Sequence, residues 1–118
     1  MKSERKRLIE ACDKLWSKRV KERDRFCQMC GTNRGVLEAH HICGRGSCGT
    51  RFDLRNGVTL CKYICHVWAE NHPKDFEIWV RPWVRSDVYD ELSMLSRKER
   101  LFTLDELREI KTKLKQGR

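Results

Sequence analysis

The sequence predicts an α+β domain in which two short strands and a helix, pinned by a metal ion, are enclosed by helices on either side. Three observations predict it. Two pairs of cysteines bracket a stretch with strand-like patterning. Apolar residues recur at helical spacing before and after that stretch. A glycine-rich segment, CGRGSCGTR, interrupts the stretch and must be a loop. At 118 residues, 36% charged and 39% hydrophobic, the chain has the composition of one soluble globular domain. No segment has the length and apolarity of a membrane span, and MKSERKRLIE lacks the apolar centre of a secretory signal, which predicts a cytoplasmic protein without a membrane partner.

From Ser3 to about Asp24, the residues Leu8, Ile9, Cys12, Leu15, Trp16 and Val20 form the stripe of an amphipathic helix, and Cys12 is assigned to the core. FCQMCGTNRG is turn-rich and carries the first cysteine pair. VLEAHHI is short enough for a strand, and CGRGSCGTR reads as a loop. RFDLRNGVTLC then alternates Phe52, Leu54, Val58 and Leu60 with polar residues, broken at Asn56-Gly57, a dipeptide that by itself suits a hairpin turn.

A helix is predicted from about Tyr63 to Glu70. Another begins near Pro73, turns Phe76, Trp79 and Val80 inward, and ends at Pro82. A third, from Ser86 to Ser96, places Val88, Leu92 and Leu95 on one face. The last opens on the capping box Thr103-Leu104-Asp105-Glu106 and continues its stripe through Leu107, Ile110 and Leu114. Trp16, Trp68, Trp79 and Trp83 are read as packing residues, with base stacking as the lesser reading. The resulting organisation is a single domain with a helical arm at 3–24, a core motif at about 26–72 and a helical segment at 73–116.

Net charge is +9, and the excess is concentrated at the two ends of the chain while the middle is balanced. Basic ends around a neutral middle suit a polyanion lying across it, through release of counterions from nucleic acid. Solvated lysine-rich helix faces would give the same count.

Seven cysteines in a chain without a secretory signal favour metal over disulfides. Cys27-x2-Cys30 and Cys61-x3-Cys65 offer four thiolates for one structural zinc. The second spacing is one residue longer than the commoner one, so Cys43 and Cys48 compete with Cys65 for the fourth position. They are ranked as free thiols because their loop is glycine-rich. His66, next to Cys65, is a further competitor.

Read together, CQMCG, LEAHHI, RFDLRNGVTLC and the Cys65-His66 pair resemble the HNH endonucleases in their zinc-stabilised ββα-metal form. The flanking KLWSKRVKERDRF and CHVWAENHPKDFEIWV are similar to phage-type HNH nucleases, including those of the lambdoid recombination class. The resemblance covers roughly residues 14–84. It implies that His40 and His66 hold a catalytic divalent cation, that His41 is the general base, and that Asn56 holds the loop so that His41 keeps its orientation. Products ending in 5′-phosphate and 3′-hydroxyl follow from the family, as does a phage or prophage origin.

Elementary chemistry supports this division. Neighbouring side chains on a strand point to opposite faces, so His40 and His41 suit two different tasks. An imidazole can take a proton from water near neutral pH, and a cation held by imidazoles can polarise a phosphodiester. Taken singly, an adjacent histidine pair is more often structural. The order of cysteine pair, His-His strand, glycine-rich loop, Asn, strand, cysteine pair and His is what carries the reading.

Many relatives have aspartate where this chain has His40. Imidazole suits manganese, nickel, cobalt or zinc better than magnesium, so activity with manganese or nickel is expected to equal or exceed that with magnesium. Glu70, four residues after His66, is a candidate further ligand or acceptor, and His72 is expected to be exposed. Arg45 and Arg51 are placed to reach phosphate oxygens, Arg55 less well, and Asp53 to pair with a neighbouring arginine. The expected partner is DNA, bound through its phosphates, with a homodimer or a phage protein as further partners. A zinc-stabilised DNA-binding or phage-assembly module with weak or no cleavage is the alternative, and an RNA-directed nuclease is a third reading.

Overall fold

A computed structural model describes residues 1–44 and 49–117. Helix α1 (Glu4–Asp24) is followed by an antiparallel pair, β1 (Leu37–His41) and β2 (Gly57–Cys61), with one 3-10 turn at Leu54–Asn56 between them. A single π-helical turn, Lys62–His66, leads into α2 (Val67–Asn71), and α3 (Pro73–Val84), α4 (Ser86–Ser96) and α5 (Leu104–Lys115) complete the chain. The architecture is thus α+β, and among the described residues no helix is long and apolar enough to cross a membrane.

All five residues of β2 are buried, which one covered face could not achieve. The hairpin is sandwiched. On one side, Val58 and Leu60 pack with Phe76, Val80, Tyr89 and Leu92 from α3 and α4. On the other, Cys12, Trp16 and Val20 of α1 pack with Phe52 and with Leu107 and Leu114 of α5. The two basic ends of the sequence are therefore laid against each other, α5 resting on α1. Arg19 fastens them by donating to the carbonyls of Leu114 and Lys115, both at 2.6 Å.

Local chemistry sets the helix ends. The Ser3 side chain accepts from the backbone N–H of Lys6 at the start of α1, and Thr103 and Glu106 form the expected capping box of α5. At its far end α1 is tied to the sheet: buried Asp24 accepts from the backbone N–H of Thr59 at 2.9 Å, and Arg23 donates to the carbonyls of Leu54 and Gly57.

Three expectations are corrected. The alternating stretch from Phe52 to Leu60 is strand only from Gly57 onward; Asp53 accepts from the backbone N–H of Arg55 and winds the preceding residues into a turn. Pro82 lies inside α3, which continues to Val84. The carbonyl four residues earlier that proline leaves without a donor belongs to Ile78, an exposed residue, so water can serve it. In α4 the inward residues are Tyr89 and Leu92, and Leu95 is exposed. The Tyr89 hydroxyl donates to Glu77 on α3 at 2.9 Å, which fixes the rotation of the helix.

Asn56-Gly57 is not a hairpin turn. Gly57 is extended, with φ −129°, and already stands in β2 opposite His41. Its lack of a side chain serves helix packing instead: a Cβ there would lie 2.5 Å from Val20 Cγ2 and 2.7 Å from Trp16 Cζ2. Gly57→Ala is accordingly expected to destabilise the fold by about 1–3 kcal/mol through overpacking, measured as a lower denaturant midpoint with unchanged slope.

Candidate functional site

Cys27, Cys30, Cys61 and Cys65 converge, with their four sulfur atoms all within 4.8 Å of one another. Cys27 and Cys30 sit on the turn after α1, Cys61 ends β2, and Cys65 lies in the π-helical turn. The Cys30 and Cys61 sulfurs are 3.8 Å apart, the edge of a regular tetrahedron with zinc–sulfur bonds of about 2.3 Å. Backbone N–H groups of Cys30 and Cys65 point at the sulfurs of Cys27 and Cys61, at 3.5 and 3.3 Å. This four-cysteine cluster can bind zinc, and Cys65 is its fourth member. Cys43 is buried but not one of the converging four, lining instead a cleft with Phe76 and Tyr89, and Cys48 lies outside the described residues.

The cluster's hydrogen bonds and burial push its members in different directions. Burial raises the Cys27 thiol, but the backbone N–H groups of Cys30, Cys61 and Met29 outweigh it and bring the group down to about 7. Cys65 is pushed well up, first by burial and then by hydrogen bonds with Cys61, Cys27 and Cys30. Cys27 thus forms a thiolate readily, whereas Cys65 would need a positive centre to ionise, the electrostatic character of a metal site.

A second cluster lies across the sheet edge. His40, His66 and Glu70 bring one ligand atom each within 4.8 Å. His66 Nδ1 is 2.9 Å from Glu38 Oε2 and its Nε2 is 3.3 Å from Glu70 Oε1. A neutral imidazole can donate to only one of these carboxylates. With the proton on Nδ1, directed at Glu38, the Nε2 lone pair faces a carboxylate oxygen, an arrangement that a shared cation relieves. The His40 ring stands edge-on to His66, with centroids 4.9 Å apart, and against Phe76 at 4.8 Å. A cleft of about 380 Å³ opens beside His40 and Glu70, walled by Ile42, Phe76 and Tyr89.

His41 points the other way. Its ring lies flat on Trp16 of α1, with centroids 4.0 Å apart and planes 7° from parallel. Its Nε2 is 3.0 Å from the Arg51 carbonyl. A carbonyl only accepts, so Nε2 carries the hydrogen of this bond and Nδ1 is left as the basic nitrogen of the neutral ring.

Asn56 is fully buried. Its Oδ1 accepts from the backbone N–H of Cys43 at 2.8 Å, and its Nδ2 donates to the carbonyls of Cys43 at 2.9 Å and Thr50 at 3.2 Å. One side chain thereby joins both ends of the glycine-rich loop. Thr50 precedes Arg51, whose carbonyl receives His41.

The arginines separate. Arg51 donates twice to Asp13 of α1, at 3.0 and 2.8 Å. Arg55 pairs with Asp53 at 2.8 Å, the pairing expected for that aspartate, and with Glu91 at 3.2 Å. Arg45 lies outside the described residues. His72 is exposed, stacked on Trp68 and outside both clusters.

Sequence reasoning missed Glu38, Trp16 and Asp13 as members of the site. Glu38 was detectable: it lies two residues before His40 and therefore on the same face of β1. Asp13 and Trp16 carry no local signal, because only the docking of α1 brings them to the loop and to His41. Comparison with protein-family models, curated proteins and solved structures finds no match for this chain.

Proposed function

We propose that this chain is a metal-dependent DNA endonuclease of the HNH, ββα-metal type. The observation that carries the proposal is the division of labour at two adjacent histidines: His40 joins a three-ligand cluster on one face of β1, while His41, on the opposite face, is held through Nε2 with Nδ1 left as its basic nitrogen.

In this reading His41 Nδ1 takes the proton of the attacking water. Stacking on Trp16 fixes the ring plane, and the Arg51 carbonyl fixes the tautomer. Asn56 secures the neighbouring peptide at Thr50, which transmits its rigidity to that carbonyl. His40, His66 and Glu70 would hold a divalent cation, which when bound polarises the phosphodiester and offsets charge on the leaving 3′ oxygen. Glu38 orients His66 by accepting from Nδ1. Zinc on the four cysteines would brace the turn that carries His66, since Cys65 is its immediate neighbour. The net charge of +9 supports a polyanionic substrate.

Conversion of supercoiled plasmid to nicked and linear forms, with added manganese and a chelator control, tests the proposal. His41→Ala is expected to slow cutting by about 10²–10⁴-fold while zinc content stays at the parent value and the protein, somewhat less stable for the lost stacking on Trp16, remains folded at the assay temperature. Equal cutting by parent and variant would put the base elsewhere. No cutting by either would leave the zinc-stabilised DNA-binding module as the better description. Two imidazoles and one carboxylate in the cluster predict that manganese or nickel supports cutting at least as well as magnesium, checked by initial rates across a metal series.

A further inference from the structure

The charge excess at the two ends of the sequence meets at one place. A cleft of about 40 Å³ lies where the first turn of α1, the segment after Thr50 and the approach to α5 come together, and it is lined by Arg5, Arg51 and Arg100 with Phe52, Leu101 and Phe102. These arginines are 46 and 49 residues apart in sequence, so the fold brings them together. No carboxylate lines the cleft among the described residues.

The cleft is built for an anion. Arg51 and Arg100 are gripped by Asp13 and Glu106, which fix their guanidinium planes. Those planes also rest on aromatic rings, Arg51 at 5.6 Å from the Phe52 centroid and Arg100 at 4.9 Å from that of Phe102. Arg5 has no ion pair or hydrogen bond from its side chain among the described residues, and supplies the uncompensated charge. The phenylalanine rings, tilted 52° to each other at 5.6 Å, form an apolar floor that strengthens attraction to an anion. At about 10–15 Å³ per water, the volume suits a group of a few heavy atoms, phosphate-sized and too small for a base.

We infer that the Arg5–Arg51–Arg100 cleft is a subsite for one backbone phosphate of the bound nucleic acid, flanking the bond that is cut. This rests on the reading of the chain as a DNA-directed nuclease. Continuity with the reaction centre supports it: Arg51 lends its side chain to the cleft and its carbonyl to His41. A phosphate seated there would fix the strand relative to the base, and removing the contact should weaken binding without favouring any sequence.

The test measures binding of a fluorescent duplex by anisotropy over about 0.05–0.4 M salt, in the non-cleaving His41→Ala background. Arg5→Gln and Arg100→Gln are compared with Lys74→Gln, which removes one exposed charge from α3. Each arginine variant is expected to flatten the slope of log affinity against log salt by about 0.9, worth roughly eightfold in affinity between 1 M and 0.1 M salt, and Lys74→Gln by less. Arginine variants that behave like Lys74→Gln would overturn the subsite while leaving the nuclease reading intact. A parent that binds no duplex at low salt would remove both. Thermal melting with orthophosphate distinguishes a free-anion site: stabilisation that Arg5→Gln abolishes, alongside unchanged duplex affinity, would overturn the assignment to a nucleic-acid phosphate.

Discussion

Cys61→Ala is expected to yield a chain that holds no stoichiometric zinc and shows no cooperative thermal transition. Cys61 ends β2, supplies one of four converging sulfurs, and accepts from the backbone N–H of Cys65 to start the π-helical turn. Structural zinc contributes about 10–16 kcal/mol of apparent binding free energy in small zinc domains, as much as the whole net stability of about 5–15 kcal/mol typical of a domain. Loss of one thiolate should therefore release the hairpin from the turn after α1. Cys12→Ala is the matched control, because Cys12 is equally buried but belongs to the core between α1 and α5. It should retain zinc and a cooperative transition. The pair is read by metal analysis and circular dichroism, and a Cys61→Ala protein with parental zinc content and melting temperature would refute a structural role for the cluster. Prolonged treatment of the parent with a strong chelator should reproduce the Cys61→Ala behaviour.

Asn56→Ala is expected to cost about 3–5 kcal/mol and to depress cutting even at temperatures where the protein remains folded. The substitution takes the Asn56 acceptor from the buried N–H of Cys43, a loss of about 1–3 kcal/mol, and removes one of two donors from each of the carbonyls of Cys43 and Thr50, which keep the Thr50 hydroxyl and the Asp53 N–H, at about 0.5–1.5 kcal/mol per bond. Asn56→Asp should be no milder, since it places a carboxylate against two carbonyl oxygens. Zinc content should survive both changes, because the Asn56 side chain hydrogen-bonds to Cys43 and Thr50 and to none of the four clustered cysteines. Denaturant midpoints measure the stability, and plasmid cutting below the transition measures the effect on His41. Full activity in a folded Asn56→Ala protein would show that His41 keeps its orientation without the loop.

Much of this was legible in the sequence for physical reasons that differ by element. The stripe of α1 and the capping box of α5 are local patterns, and local patterns survive folding. The four cysteines were readable because metal ligands must be few, soft and paired. Gly57 was only half legible, because two pressures select glycine, turn geometry and close packing, and the Asn-Gly dipeptide signals only the first. The rotation of α4 escaped because residues 88, 92 and 95 and residues 89 and 92 both fit a helical face, and a hydrogen bond to Glu77 on another helix decides between them. Trp16 was rightly assigned to packing, but its partner, the His41 ring, depends on how α1 crosses the sheet.

The sandwich around the hairpin has a kinetic consequence. One core draws its residues from Cys27 to Leu92, whereas the other needs α1 and α5, whose contacts span 95 residues, as between Cys12 and Leu107. Closing that distance is entropically costlier, so α5 should be the first element to exchange its amide hydrogens by partial opening, and the zinc-centred half the last. The two histidines fall on opposite sides of this division. His40 belongs with the half that persists, while His41 leans on Trp16 in the half that opens. A molecule caught in that partly opened state would keep His40, His66 and Glu70 assembled and lose the stacking that steadies His41, so, on the proposed nuclease reading, the lifetime of the α1–α5 contact would set the fraction of molecules ready to cut.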